Sequence, residues 1–149
     1  IAGFLMEKGI DFPKIIDNSF FAKTYGQAKL HGRAVLDSVR ILDNRCVYTV
    51  VTTDELREYG CTVKATDGIV DQLRIIEGIE IAFLLYQTGN PDEYKVSLRT
   101  NSAVDVSRIA QSFGGGGHVK AAGCTMTGEP QEIVEKISGK IREQWEELK

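Results

Sequence analysis

The chain has 149 residues, 42% hydrophobic and 26% charged, which fits one ordinary globular domain able to bury its own core. Eighteen Lys and Arg against 21 Asp and Glu leave a net charge of −3. That excludes a histone-like or ribosomal polycation and confines any nucleic-acid contact to a local patch. The three cysteines, Cys46, Cys61 and Cys124, contain no CxxC pair. A zinc ribbon and a disulfide framework are therefore disfavoured, and reduced thiols in a cytosol fit best.

No stretch approaches the roughly 18 apolar residues a membrane span needs. The opening Ile1-Ala2-Gly3-Phe4-Leu5-Met6 lacks the basic flank and small-residue cleavage site of a signal peptide and reads as a cut inside a longer protein. Phe4, Leu5 and Met6 lead to Gly9, a helix-ending residue, and Pro13 opens a second short helix through Phe20 and Phe21. Thr24 caps a third helix through Leu30, Ala34 and Val35 to about Ser38. Residues 1–38 are expected to form a helical linker, or the tail of a neighbouring domain.

Residues 39–149 read as a compact α/β unit. Val39–Leu42 and Cys46–Val51 are β-branched runs around Asp43-Asn44, a hairpin with its turn chemistry at the tip. Thr53 with Asp54, Glu55 and Leu56 starts a helix closed by Gly60, and Asp67 is expected to cap another from Gly68 to Glu77. Ile79–Tyr86 is nearly all apolar, the pattern of a strand buried on both faces. Tyr94–Arg99 alternates strictly, with Tyr94, Val96 and Leu98 opposed to Lys95, Ser97 and Arg99. Asp105 caps a helix carrying Val106, Ile109, Ala110 and Phe113. It stops at Gly114-Gly115-Gly116-Gly117-His118, after which Lys120–Thr127 is small and extended. Pro130 opens a last helix with Val134, Ile137, Ile141, Trp145 and Leu148 as its apolar stripe.

The glycine run is the informative segment. One glycine suffices to end a helix, and each further one costs roughly 0.5–1 kcal/mol relative to Ala in a regular element. Four suggest a close backbone approach or several positive φ angles, and successive amides in such a turn form an anion-binding concavity. A flexible connection is the alternative. A dinucleotide fingerprint is excluded because it needs a strand before the glycines and a helix after them, the reverse of this order. A Walker loop is excluded because no Gly-Lys-Ser or Gly-Lys-Thr occurs. His118 can donate to a phosphate or stack on a base, or can simply close the loop.

The segment Gly114-Gly115-Gly116-Gly117-His118-Val119-Lys120-Ala121-Ala122-Gly123 resembles the GGGHxxAAG motif of the DHHA1 domain. This is the C-terminal half of DHH-family phosphoesterases, and it recurs in alanyl-tRNA synthetases. Lys95–Thr100 and Asp105–Ala110 resemble the strand and helix before that motif in the nanoRNase/pAp-phosphatase branch. The resemblance implies a mixed β-sheet with helices packed on it over residues 39–149. It also implies a substrate-binding role for Arg99, Gly114, Gly115, Gly116, Gly117 and His118, toward short RNA or a phosphorylated nucleotide such as pAp. The catalytic Asp-His-His set and its two Mn²⁺ ions would lie on a DHH domain of the same parent chain; no Asp-His-His occurs here, where the only histidines are His31 and His118. No catalytic residue and no metal ligand is therefore expected on this chain, and a cytoplasmic location and a possible homodimer complete the expectation. Two rivals remain: an RNA-binding appendage of the alanyl-tRNA-synthetase type, and a structural or dimerising domain. Residues 93–125 carry +2 against the chain's −3, from Lys95, Arg99, Arg108 and Lys120 over Glu93 and Asp105. For Arg99 the competing role is an ion pair with Glu93 or Asp105. Lys120, His31, the Asp71–Arg74 pair, Trp145 and Cys124 are expected to be structural or surface groups.

Overall fold

The alternating and branched runs place six strands side by side in the computed structural model, which describes residues 11–16 and 22–149. The expected helix at Phe4–Met6 and the Phe20–Phe21 end of the second helix lie outside the described residues. The strands are β1 (Val39–Ile41), β2 (Cys46–Val51), β3 (Ile81–Gln87), β4 (Glu93–Thr100), β5 (Gly116–His118) and β6 (Ala121–Thr127). Their order is β1-β2-β3-β4-β6-β5; β2 and β3 run parallel and every other pair antiparallel. The sheet is therefore mixed, as the sequence suggested. The helices are α1 (Phe12–Ile16), α2 (Tyr25–Leu36), α3 (Thr53–Glu58), α4 (Ile69–Arg74), α5 (Val106–Gln111) and α6 (Pro130–Glu147), of which α2 to α6 pack on the sheet.

Two apolar layers follow from the strand alternation. On one face Phe83, Val96, Leu98 and Cys124 meet Ile109 of α5 and Ile133, Ile137 and Ile141 of α6. Gln144, buried on α6, locks the two helices together: its Oε1 accepts from the Asp105 amide and its Nε2 donates to the Asp105 carbonyl, both at 2.9 Å. Trp145 only flanks this core, beneath the Arg45 guanidinium, and Leu148 is exposed, so the expected stripe ends earlier. On the opposite face Val47, Val51, Ala82 and Leu84 meet Leu30 and Ala34 of α2 and Ile69 and Leu73 of α4.

Helix α2, which falls within residues 1–38, expected as a helical linker or the tail of a neighbouring domain, contributes to that second layer. Helix α2 opens on a capping box in which the Gln27 amide donates to Thr24 Oγ1 and the Thr24 amide to Gln27 Oε1, each at 3.1 Å. It then buries Leu30, His31 and Ala34 against the sheet, making it part of the same core. Two caps also shift. Thr52, not Thr53, caps α3 through a box with Glu55. Asp67 caps nothing with its side chain: Gly68 is the N-cap of α4 with φ +87°, because the chain must reverse sharply after the 3₁₀ turn Val63–Thr66.

His31 is structural, as expected. Its Nε2 donates to the Ala65 carbonyl at 2.9 Å while Nδ1 faces the Lys23 ammonium at 2.9 Å and the Gln72 side chain at 3.2 Å. Burial first, and then the charge of Lys23, lower its pKa from 6.5 against the opposing hydrogen bonds. The unfolded chain thus takes up this proton before the folded one does. The stability His31 contributes is complete above pH 6.5 and is lost as pH falls through the depressed folded value. We expect the melting temperature to drop between pH 7.5 and pH 5 more steeply in the wild type than in His31→Gln; equal slopes would remove His31 as the cause.

Candidate ligand-binding face

Helices α2, α3 and α4 cover the β2–β3 half of the second face, with α4 reaching the end of β4 at Arg99 and Asn101; among the described residues the rest of the β4-β6-β5 half is left bare. The ladder register sorts its side chains into rows. Ala82, Arg99, Ala121 and His118 share one row, and Leu84, Ser97, Gly123 and Gly116 the next. A third holds Tyr86, Lys95 and Thr125. Lys95, Thr125 and His118 are exposed, and Ser97, Arg99, Gly116, Ala121 and Gly123 half-buried. An open hollow of about 380 Å³ lies over part of this face, lined by Tyr86, Lys95, Ser97, Gly123 and Thr125 together with Gly114 and Gly115.

The four glycines do different jobs. The Gly114 amide donates to the Gln111 carbonyl at 3.1 Å and the Gly115 amide to the Ala110 carbonyl at 2.9 Å, which closes the end of α5. Those two amides are thereby spent, which corrects the picture of a continuous nest of free N–H groups. Gly114 has φ +74°, and a Cβ on Gly115 would lie 2.2 Å from the Gly123 carbonyl oxygen. Gly117 has φ +146° and its Cβ would meet the Ala122 Cα at 2.6 Å. Gly116 alone has neither a positive φ nor any atom within 4 Å of its missing side chain. From Gly116 the run becomes strand β5, the sheet's edge, which turns alternate amides outward. Glycine-rich sequence thus forms a strand here, because Gly115 and Gly117 let the backbone of β5 close onto β6, while Gly123 lets β6 close onto Val96 of β4.

Arg99 sits two strands from His118 in the first row, so the two share a face without touching. Its guanidinium is held: Nη1 donates to the Leu98 carbonyl at 3.0 Å, and Nε lies 3.4 Å from Asp71 Oδ1. The partner is neither Glu93 nor Asp105. Asp71 lies on α4 and also accepts from Arg74 Nε at 2.8 Å, while the Asn101 Nδ2 donates to the Arg74 carbonyl at 2.5 Å and ties the end of α4 to the end of β4. Asp105 is occupied on the other side of the sheet as the α5 cap, and its bond from Ser107 leads the lowering of its pKa. No sequence signal linked Asp71 to Arg99, because 28 positions separate them and only the sheet brings them together.

The remaining candidates settle into structural roles. Lys120 donates to the Ser102 carbonyl. Arg108 pairs with Glu147 of α6 at 3.0 Å, away from the bare face. Burial pushes the Cys124 thiol up, and the Cys46 thiol up to about 12, so neither is a thiolate nucleophile at neutral pH. Among the described residues no three His, Cys, Asp or Glu side chains gather as a metal-ligand set, and no helix is long and apolar enough to cross a membrane.

The DHHA1 domain family matches residues 43–146, most of the sheet and both helices of the first face. This chain belongs to the DHHA1 domain family. Among its relatives, the bifunctional oligoribonuclease and PAP phosphatase NrnA of Thermus thermophilus is 31% identical over 96 residues, 64% of this DHHA1 chain and 29% of that protein. Oligoribonuclease NrnB of Bacillus subtilis is 55% identical over 40 residues, 26% of this chain and 10% of that protein. An exopolyphosphatase-related protein from Bacteroides fragilis superposes with a TM-score of 0.87 at 22% identity, covering 95% of this chain and 42% of that one. The pGpG-specific phosphodiesterase PggH of Vibrio cholerae superposes with a TM-score of 0.56 at 18% identity, covering 78% and 39%. At these identities the two structures show that the DHHA1 fold is shared. The chain spans less than a third of the length of the two relatives matched by sequence.

Proposed function

We propose that this DHHA1 domain binds a short oligoribonucleotide or a 3′-phosphorylated nucleotide on the bare half of its sheet, for phosphoester hydrolysis by a metal-bearing DHH domain of the parent protein. The observation that carries the reading is the uncovered face itself, where an arginine already braced by a carboxylate shares a row with an exposed histidine and a glycine edge. A phosphate over that row would take charge-assisted hydrogen bonds from the Arg99 guanidinium, with the His118 imidazole donating from the far side. Outward amides of β5 would add neutral donors. The names of NrnA, NrnB and PggH, all concerned with oligoribonucleotides or nucleotides, support the same substrate class.

In such a reaction this chain supplies position rather than bond chemistry. Fixing the phosphorylated end removes translational and rotational freedom that the reacting groups would otherwise lose in the transition state. The Mn²⁺ pair belongs, in this proposal, to the DHH domain.

Gly116 gives the sharpest test, since packing does not require a glycine there. Gly116→Ala places a methyl on the bare face and is expected to weaken pAp binding several-fold while the melting temperature stays within about 2 °C, the shift of less than 1 kcal/mol in a domain this size. Unchanged affinity by calorimetric titration would remove β5 from the ligand's path.

A further inference from the structure

The third row of the bare face has no part in the contacts just assigned. Tyr86, Lys95 and Thr125 lie side by side across β3, β4 and β6, within the hollow that also takes in Ser97, Gly123 and the start of the glycine run. Lys95 is exposed, and among the described residues no carboxylate pairs with it, in contrast to Arg99. The one acidic side chain further along the same face, Glu93, accepts from Thr88 Oγ1 at 2.7 Å. Tyr86 is half-buried, its body packed toward the α2–α4 layer. Lys95 and Arg99 are four residues apart on one strand, about 13 Å at about 3.3 Å per residue. Between them the floor consists of Ser97, Gly123 and Gly116, side chains too small to interrupt a ligand lying along β4.

We propose that the Tyr86–Lys95–Thr125 row is a second subsite that takes a phosphate and an adjoining base of a single-stranded oligonucleotide whose other end lies at Arg99. The inference rests on the reading that Arg99 holds the first phosphate. A cation and an aromatic ring side by side are the pair that single-stranded nucleic acid calls for, one for the backbone and one for the π-face of a base. Inorganic polyphosphate would use the lysine and leave the ring idle. The two phosphates of pAp flank a single ribose, a shorter separation than that between the rows, so pAp engages one row only. The Lys95 subsite makes the domain a reader of chain length: two or more linked nucleotides gain what one cannot.

The test compares pAp, a pentaribonucleotide and linear polyphosphate as ligands of the 149-residue chain, by calorimetry or fluorescence anisotropy. The pentaribonucleotide is expected to bind at least tenfold more tightly than pAp and more tightly than polyphosphate. Lys95→Gln, on an exposed position, is expected to cost roughly tenfold in RNA affinity, to lower the salt slope for RNA by about 0.7, and to change pAp affinity less than twofold. Tyr86→Leu is expected to weaken RNA and spare polyphosphate; the lysine variant decides the matter if this one melts early. Equal affinities for pAp and RNA, an equal loss of both in Lys95→Gln, or polyphosphate binding best would each overturn the second subsite while leaving Arg99 in place. A wild-type chain that binds neither pAp nor RNA, or an Arg99→Ala variant that keeps pAp affinity, would instead overturn the reading on which it rests.

Discussion

Arg99→Ala is expected to lower pAp affinity by about 10- to 100-fold, the range of one or two charge-assisted hydrogen bonds. The guanidinium is the group best prepared for a phosphate on this face. Its Nε is drawn to Asp71 and its Nη1 to the Leu98 carbonyl, so part of its rotamer freedom is already lost before a ligand arrives. Removing it does little to the fold. Asp71 keeps Arg74 at 2.8 Å, and a half-exposed pair of this kind contributes only about 0–1 kcal/mol. Calorimetric titration beside a melting curve separates the two effects. Intact affinity would place the phosphate elsewhere, and a collapsed melting transition would make Arg99 a structural residue.

Gly115→Ala is expected to act on the opposite balance, costing about 3 kcal/mol of stability at the upper end of usual overpacking penalties. The added Cβ would stand 2.2 Å from the Gly123 oxygen, 2.5 Å from the Cys124 Cβ and 2.7 Å from its Cα, all atoms of the neighbouring strand β6. No flexible side chain can move aside there. Relief requires β5 to part from β6, which also undoes the bond from the Gly115 amide to Ala110 that ends α5. At about 2–4 °C per kcal/mol for a domain of this size, the melting temperature should fall by about 6–12 °C. A drop under 2 °C would mean that the close approach of these strands is not needed for the fold. Together with Gly116→Ala, this variant splits a run of identical residues into one that packing demands and one that it does not.

Much of the fold was legible because local and global signals agree. The alternation in Tyr94–Arg99 predicted which residues are buried on β4, and Thr24 and Asp105 cap the helices they were expected to cap. The motif from Gly114 to Gly123 was enough to place the chain in its family, which the match over residues 43–146 confirms. Illegible were the features that depend on what packs over the sheet. The burial of α2 was missed because Leu30 and Ala34 become core only once β2 and β3 lie beneath them. The partner of Arg99 was missed for the same reason. The glycine run was expected to act as one loop, but its first two amides end a helix and its last two residues begin a strand. Only the register with β6 separates those tasks.

In the proposed function, one side of one half of the sheet receives a phosphorylated ligand. Mapping backbone amide shifts of the 149-residue chain during titration with pAp tests that most directly. Saturable, salt-sensitive shifts are expected to cluster at Gly116, Gly117, His118, Ser97, Arg99 and Ala121, with α6 silent. Shifts centred on α5 and α6, or none at millimolar pAp, would contradict the proposed function.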